Sequence, residues 1–473
     1  DLLLGYLYQY HAWTLFSLPL PTTEPPQFDG YPFVGIWNAP TPVCKKLGIP
    51  LDTWSFKEVT TPAAVPGQFL TLFYTDHLGL YPYVNPKNNQ QINGGIPQKG
   101  NLPAHLKKAY SDINYYIPSD TTPGLAVIDW EDWRPLWDRN WGAKDIYRQL
   151  SIAYAQMKDP SWLPSQATAD AKKQFQTAAR NYMEKTLKLG ISQRPKRLWG
   201  FYLFPDCYNY GWETPGYTGQ CSDLTKSQND QLLWLWESST ALYPSVYLPG
   251  SLKNSPNAAL FVRNRVQEAV RVAALPKRPF TVPIYVYSWP MFSNQNDFLS
   301  MEDLISSIGE TAALGASGSV LWGASADYTD RASCEALSTY LTSTLNPYIA
   351  NVTAAAKLCS DVLCQGNGRC VRKDYNSNVY LNQNTFRLQE SQGKYMAIGI
   401  PSSADLLTLA DKFTCQCYKG RSLKLAPLNC IQQPFLPPVT RGFIVTGGTV
   451  YLVTLFCNVN VFSNIHLKCF KLI

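Results

Sequence analysis

Histidine is scarce in this chain, which has only four among its 473 residues. They are scattered at positions 11, 77, 105 and 466 and form no metal-ligand pair with cysteine or aspartate, so we expect neither a zinc site nor histidine-based nucleophilic catalysis. A glycine-rich phosphate loop and a Gly-x-Ser-x-Gly motif are also missing. The sequence therefore predicts a protein without metal or cofactor.

Long apolar runs are missing as well. Residues 2–20 are apolar and aromatic but lack a basic flank, so they make a poor signal peptide, although they could be the remnant of one. The run from about 443 to 457 is short for a membrane span, and Asn458 and Lys468 argue against a clean lipid-anchor signal. We expect an atypical N-terminal segment at 1–30 and an atypical apolar tail at 431–473, and membrane anchoring stays open.

Aromatic residues are abundant, at 13% of the total with 14 Trp and 29 Tyr, and their planes suit sugar rings as well as protein cores. With 45% hydrophobic and 16% charged residues, the composition is that of a globular protein. The length suits one large catalytic domain with a small addition, or a few ordinary domains. A net charge of +7 fits an acidic partner, such as an anionic polysaccharide, nucleic acid or a membrane surface, without choosing among them.

The 12 cysteines indicate an oxidising compartment, and the acceptor motif at Asn351 agrees with secretion. Two pairs stand outside the C-terminal part: Cys207 with Cys221 could staple one loop, and Cys44 with Cys334 could tie the first strand region to the last. The remaining cluster predicts a small disulfide-stapled module whose pairing composition alone leaves open. Its members are Cys359, Cys364, Cys370, Cys415, Cys417 and Cys430.

Short apolar runs alternate with helical patterns from about residue 33 to 350. Helices are expected at about 167–189, ending at Gly190, at about 255–274, and from Ser300 onwards. The repeated strand–helix order predicts an α/β fold with a parallel sheet, and a closed (β/α) barrel suits this length. The expected strands are Phe33–Trp37, Phe69–Tyr74, Leu125–Asp129, Leu198–Phe204, Ser245–Leu248, Val282–Tyr287 and Gly318–Gly323.

Two carboxylic acids follow the third of these strands in "GLAVIDWEDW". Asp129 and Glu131 are two residues apart, so on an extended strand end both side chains point the same way. Two neighbouring carboxyls cannot both ionise freely, so one pKa rises, which is what a general acid needs. The alternative is a strand end whose acids are neutralised by Arg134 or Arg139, and the spacing alone does not decide between the two.

Aromatic residues recur at the ends of other expected strands. Tyr74, Tyr202 and Trp322 lie at three of them, and Asp206 follows the second. Tyr247 lies on another. Each alone is more typical of a core, but an acid pair ringed by tyrosines and a tryptophan has the composition of a sugar site.

Several long motifs now resemble one family. "GLAVIDWEDWRPLWDRNW", "GGIPQKGNLPAHL", "LWGFYLFPDCYNY", "TALYPSVYLP", "GETAALGASGSVLWG" and "LNPYIANVTAAAKLCSDVLCQGNGRCVRK" are similar to vertebrate hyaluronidases of glycoside hydrolase family 56, over about residues 31–420. The resemblance implies a distorted TIM-like (β/α) barrel at 31–350 and an EGF-like module at 351–430. It implies a monomeric enzyme of the secretory pathway, whether secreted, lysosomal or at the cell surface, with no nucleic-acid partner.

The resemblance also implies the chemistry: hydrolysis of β-1,4 bonds in hyaluronan with retention, in which the substrate's own 2-acetamido oxygen is the nucleophile. Glu131 is then the acid/base, and Asp129 holds a proton or hydrogen bond beside it. Tyr202 and Tyr247 orient the acetamido group, and Trp322 packs on its methyl. The cleft is expected to be lined also by Tyr74 and Asp206.

The resemblance implies five disulfides, and the sequence around one of them departs from the family pattern. After Gly420 the family similarity ends, so the pair that closes the module is the least expected and the module could be incomplete. Two functional alternatives stay open: preference for chondroitin sulfate, which the presence of Tyr247 disfavours, and a catalytically impaired hyaluronan-binding or adhesion protein. The implied pairs are Cys44–Cys334, Cys207–Cys221, Cys359–Cys370, Cys364–Cys415 and Cys417–Cys430.

Overall fold

The computed structural model describes residues 20–381 and 402–420 in full and, outside these, the backbone of five strands. The chain divides into two compact units, residues 1–422 and 423–473. The strands are β1 (Val34–Asn38), β2 (Glu58–Thr60), β3 (Leu70–Phe73), β4 (Tyr83–Val84), β5 (Gln91–Ile92), β6 (Gly124–Ile128), β7 (Arg197–Phe201), β8 (Tyr285–Ser288), β9 (Gly318–Trp322), β10 (Gly368–Arg372), β11 (Arg387–Ser391), β12 (Lys394–Ile398), β13 (Phe413–Cys417), β14 (Thr440–Thr446), β15 (Thr449–Asn458) and β16 (Lys468–Lys471).

Helices separate most strands of the first unit. Two π-helical turns, Ile305–Gly309 and Leu341–Leu345, join α8 to α9 and α10 to α11. The helices are α1 (Pro42–Lys46), α2 (Leu102–Tyr116), α3 (Asp145–Lys158), α4 (Pro164–Gln193), α5 (Asp223–Gln231), α6 (Leu233–Ser238), α7 (Pro256–Ala273), α8 (Met301–Leu304), α9 (Glu310–Ala313), α10 (Arg331–Tyr340), α11 (Asn346–Leu363) and α12 (Ser403–Lys412).

Parallel pairing runs through two sheets and a linking segment. One sheet has the order β2-β1-β9-β8 and the other β3-β6-β7, all parallel. Isolated parallel bridges connect them through residues 242–245: Tyr202 pairs with Tyr243, and Leu242 with Ile284. The carboxyl ends of these strands therefore meet at one rim, where catalytic residues of such folds are found.

One apolar core fills the space that these strands enclose. It takes alternate residues from strands of both sheets, such as Val34 and Ile36 of β1, Leu70 and Leu72 of β3, and Val320 of β9. Because residues two apart on a strand face the same side, this shared core makes the sheet barrel-like.

The expected strands and helices differ from the observed ones in places with clear physical causes. Residues 245–248 make only isolated bridges, since Pro244 lacks the amide hydrogen that a continuous ladder needs. The short β2 was not expected. Gly190 does not end α4, which continues to Gln193; a side chain at Gly190 would lie 2.7 Å from the Trp199 ring, so glycine is needed there for close packing.

The C-terminal part of the first unit is tied to the barrel-like part by one helix. α11 runs across the expected boundary at 350/351 and carries Cys359, which is bonded to Cys370 in β10. β10 and β13 pair antiparallel, and Thr23 donates its amide hydrogen to the carbonyl of Cys417 at 2.9 Å. Residues 22–24 of the expected atypical N-terminal segment thus take part in the fold.

Four disulfides form in the described residues: Cys44–Cys334, Cys207–Cys221, Cys359–Cys370 and Cys364–Cys415. The fifth implied pair involves Cys430, which lies outside the described residues. The second unit contains β14, β15 and β16, which form an antiparallel sheet in that order. Among the described residues, we find no helix with the length and apolar character needed to cross a bilayer.

Candidate active site

Two of the three acids of the "DWED" segment, Asp129 and Glu131, lie together just beyond β6. The strand ends at Ile128, and the amide of Asp129 donates to the carbonyl of Phe73 at 2.8 Å, which fixes the chain at the rim. Burial and the neighbouring Glu131 carboxyl raise the pKa of Asp129 well above its usual range, and the two side chains share a hydrogen bond. The Glu131 side chain is 50% exposed. The pair is therefore unequal, with one acid half-buried and the other open to the cleft.

Aromatic packing below the segment explains this arrangement. Trp130 and Trp133 are both buried, and Tyr81 stacks on them with ring centroids 4.7 and 5.1 Å away. The Trp133 indole also donates to the carbonyl of Pro82 at 2.8 Å. Because the tryptophans are anchored in the core, the intervening Glu131 is left on the opposite, cleft side.

An arginine does lie beside the acid pair, but it binds chiefly the main chain. Arg134 donates from Nη1 to the carbonyl oxygen of Glu131 at 2.8 Å, whereas its Nη2 is 3.8 Å from the Glu131 carboxylate. Arg139 points elsewhere and donates to Asn229 at 2.8 Å. Neither arginine makes the close two-atom ion pair that a neutralised strand end would show.

A wall of aromatic side chains faces the acids. The Tyr202 hydroxyl donates to Ser245 at 3.3 Å and is hydrogen-bonded to Tyr247. Tyr247 lies nearly parallel to Trp322, with ring centroids 5.9 Å apart, and the Trp322 indole donates to the Tyr74 hydroxyl at 3.3 Å. The wall is thus continuous across the ends of β3, β7 and β9 and the linking segment.

The hydroxyls of this wall stay protonated at physiological pH. Burial raises the pKa of Tyr202 and of Tyr247 above the usual value, and it raises that of Tyr74 to about 12. The charge of Asp129 adds to all three increases, and that of Glu131 adds to those of Tyr202 and Tyr74. The wall therefore offers neutral hydrogen-bond donors.

Asp206 is buried and is held by an arginine and by a main-chain amide. Its residue is only 5% exposed, and its Oδ1 lies 3.2 Å from Nη1 of Arg265 and accepts the Tyr208 amide hydrogen at 3.0 Å. That Asp206 lines the cleft stays a prediction. Its contacts fix the turn that follows Tyr202.

Three residues of the site escaped the sequence patterns. Tyr287 in β8 has its ring centroid 5.0 Å from that of Tyr202, and Ser245 accepts the Tyr202 hydroxyl. Trp289, just after β8, lies 5.2 Å from Trp322 and 5.6 Å from Tyr247. The same signal that singled out Trp322, an aromatic residue at a strand end, could have found Trp289 in "YVYSW".

Asn351, the expected glycosylation site, lies within α11. Its Oδ1 and the Thr353 hydroxyl are buried and make no hydrogen bond to any described residue. The acceptor motif is thus helical and partly covered in the folded chain.

Comparison with known proteins shows which family this fold belongs to. A model of the hyaluronidase family of glycoside hydrolases, family 56, matches residues 22–427. Hyaluronidase-5 of Mus musculus is 48% identical over 431 residues, which are 89% of this chain and 80% of that protein. Hyaluronidase PH-20 of Homo sapiens is 46% identical over 414 residues, 86% of this chain and 81% of that protein.

Solved structures give the same result. Bee venom hyaluronidase is similar with a TM-score of 0.60 and 32% identity, over 67% of this chain and 99% of that one. Its complex with a hyaluronic acid tetramer has a TM-score of 0.60 and 31% identity, over 67% and 98% of the two chains. The expected family is thereby confirmed: this chain belongs to the hyaluronidase family, glycoside hydrolase family 56.

Proposed function

We propose that this protein is an endo-acting glycosidase that hydrolyses the β-1,4 bonds of hyaluronan with retention. The observation that carries the proposal is the unequal acid pair beside a wall of neutral hydroxyls. Asp129 is half-buried and its pKa is raised by desolvation and by Glu131, whereas Glu131 opens into the cleft. The names of the relatives and of the bee venom complex support hyaluronan as the substrate.

Among the described residues of the site, Glu131 is the exposed acid, and neither Asp129 nor Asp206 is a free carboxylate for direct attack. A retaining enzyme of the ordinary kind needs a second carboxyl as nucleophile, about 5 Å from the first. Asp129 has a raised pKa, and Asp206 is buried against Arg265, so neither suits that role. This arrangement supports the substrate's acetamido oxygen as the nucleophile.

In the first step, the acetamido oxygen forms a bond to the anomeric carbon. The glycosidic bond breaks, and its electron pair goes to the leaving oxygen, which takes the proton of Glu131. In the second step, Glu131 accepts a proton from water as the water oxygen attacks the anomeric carbon, and the acetamido group is released. Asp129 holds its hydrogen bond to Glu131 throughout.

The wall orients the acetamido group in this proposal. The neutral hydroxyls of Tyr202 and Tyr247 donate to it, and Trp322 packs against its methyl. Tyr74, hydrogen-bonded to the Trp322 indole, borders the same space. Because no charge is needed on these tyrosines, their raised pKa values keep them in the active form over the working pH range.

We also propose the finer features of the chain that the resemblance implies. Residues 351–430 form an EGF-like module, supported by the β10–β13 pair and by Cys359–Cys370 and Cys364–Cys415. These disulfides support passage through the secretory pathway. Glycosylation at Asn351, which is half-buried in α11, is part of the same proposal.

The decisive experiment compares Glu131→Gln with Glu213→Gln, a matched control at an exposed position outside the site. We expect the first variant to lose at least about 1,000-fold in hyaluronan hydrolysis, measured as reducing-end release, with an unchanged unfolding midpoint. The control should equal the wild type. Substantial turnover by Glu131→Gln would overturn the proposal.

The two alternatives are separated by the same assay. Rates on hyaluronan and on chondroitin sulfate test substrate preference; faster cleavage of chondroitin sulfate would replace the proposed substrate. Retained binding of hyaluronan by a wild-type protein that releases no reducing ends would instead favour the adhesion role.

A further inference from the structure

Lys144, which is not part of the acid pair, makes hydrogen bonds to the main chain that carries Glu131. Lys144 ends a short 3-10 turn, Gly142–Lys144, directly before α3. Its Nζ donates a hydrogen bond to the carbonyl oxygen of Glu131 and lies 3.4 Å from the carbonyl oxygen of Asp132. Arg134 donates to the same Glu131 carbonyl at 2.8 Å. Two cations therefore converge on one peptide group, that of Glu131.

This convergence is electrostatically unfavourable for the lysine itself. Burial, and then the charge of Arg134, lower the pKa of Lys144 to about 8, although Glu131 and Asp132 attract its charge. A lysine free to move would extend into water, where its ammonium group is best solvated. Here the ammonium instead gives charge-assisted hydrogen bonds to main-chain carbonyls, which are stronger than neutral ones.

The contact acts on the position of the Glu131 carboxyl. Trp130 and Trp133 anchor the segment from the core, but the Glu131 side chain is 50% exposed. On the side away from the core, the hydrogen bonds of Lys144 and Arg134 to the Glu131 carbonyl hold this peptide in place. A displacement of about 1 Å at a reacting group can cost about 100-fold in rate.

We propose that Lys144 is a positioning residue that holds the Glu131 peptide so that the carboxyl reaches the leaving oxygen. The inference rests on the proposed acid/base role of Glu131. Lys144 acts through the main chain and needs no contact with the substrate.

The proposal has a pH signature. The charged groups that face Lys144 from the neighbouring loop are Arg134, Glu131 and Asp132. On its own helix, Asp145 is engaged by Arg148 and by Gln149. Because the pKa of Lys144 lies near 8, the lysine is charged below that pH and loses its charge-assisted bonds above it. We expect kcat to fall as pH rises through about 8.

The test uses Lys144→Met and Lys144→Arg, with Lys173→Met on α4 as an exposed charge-matched control. Hyaluronan hydrolysis is measured from pH 4.5 to 9 to give kcat and KM separately. Lys144→Met should lose about 10- to 100-fold in kcat with little change in KM. Lys144→Arg should retain most activity and move the alkaline fall to higher pH, since arginine stays charged. The control should match the wild type.

Two outcomes would overturn the proposal. If Lys144→Met raises KM, leaves kcat unchanged and weakens the salt dependence, the lysine binds the anionic polymer directly. If neither constant changes, the Glu131 peptide is held without it. Either result, together with an inactive Glu131→Gln, removes the role of Lys144 alone; an active Glu131→Gln removes the proposed function instead. Lys144→Arg keeps the test informative if the methionine variant folds poorly.

Discussion

Asp129, which is half-buried, and Glu310, which is buried, are acids with opposite surroundings. Glu310 is fully buried; its Oε2 accepts from Arg372 at 2.7 Å, and its Oε1 accepts from Arg263 and from the Tyr380 hydroxyl at 3.0 Å. Asp129 has another acid as its nearest charged partner, and its Oδ1 makes no hydrogen bond to a described residue.

The difference indicates that Glu310 stabilises the fold, whereas Asp129 takes part in the proposed chemistry. The Glu310 cluster joins α9 and α7 to β10, and Arg263 extends it by donating to the carbonyl of Asn376 at 2.7 Å. A carboxylate with this many donors serves to hold these elements together. An acid whose closest charged partner is another acid can hold or share a proton, which a glycosidase needs.

The largest effect should come from Asp129→Asn. Because the pKa of Asp129 is raised, the neutral amide resembles its protonated form and the fold should tolerate it. The amide cannot take part in proton sharing with Glu131, so we expect kcat for hyaluronan to fall about 100- to 10,000-fold. Steady-state kinetics and thermal unfolding measure the two effects; a large loss of stability with normal kcat would make Asp129 resemble Glu310.

Glu310→Gln should give the reverse result. Removing the shared carboxylate leaves Arg263 and Arg372 buried without their counter-charge, which costs about 3–5 kcal/mol. We expect a lower free energy of unfolding in urea and normal kcat per folded molecule. Glu335→Gln, which removes an exposed ion pair with Arg331, is the matched control and should change stability by less than about 1 kcal/mol.

His105 extends the comparison to a buried base. Its Nδ1 accepts the Leu80 amide hydrogen at 2.8 Å, and its Nε2 lies 2.8 Å from the Thr186 hydroxyl, which itself donates to Tyr182. This arrangement suits the neutral ring, and burial lowers the pKa of His105 to about 4.

The folded chain therefore resists a proton that unfolded histidine takes up near pH 6.5. The contribution of His105 to the free energy of unfolding should be fully present above pH 6.5. It should be lost as pH drops from there to about 4, by roughly 3 kcal/mol in total. Urea unfolding at pH 7 and pH 4.5 measures this loss. His105→Gln should reduce the pH dependence, and an unchanged dependence would refute the assignment.

Tyr247→Phe should have the smallest effect. The variant keeps the ring packed on Trp322 and loses only the hydroxyl hydrogen-bonded to Tyr202. We expect kcat to fall about tenfold, roughly 1.4 kcal/mol in activation free energy, with KM little changed. Tyr110→Phe, at an exposed tyrosine on α2, provides the control. A change in KM alone would assign the hydroxyl to ground-state binding.

The sequence predicted that Asp129 and Glu131 would lie together because strand alternation is a local rule. It could not predict which acid is the more buried, since that depends on Tyr81, which packs under Trp130 from almost fifty residues away. The spacing of side chains also says nothing of Lys144, whose hydrogen-bond acceptors are main-chain carbonyls.

Long-range contacts also decide the surroundings of Asp206 and the extent of the strands, and local sequence patterns do not give such contacts. A family motif could place Asp206 near the cleft, but only the fold shows Arg265 beside it. The barrel-like order followed from the alternation of strands and helices, whereas the loss of a ladder at 245–248 followed from prolines and the tertiary pairing around them.

The Cys44–Cys334 bond has a consequence for biosynthesis. It joins α1, which follows β1, to α10, which follows β9, and these two strands pair along their whole length. The cysteines are 290 residues apart, so during translation Cys44 emerges long before its partner. The disulfide can form only after β9 and α10 have been synthesised and β9 has paired with β1. A cell that makes this protein must therefore protect the Cys44 thiol from wrong partners until most of the chain has left the ribosome.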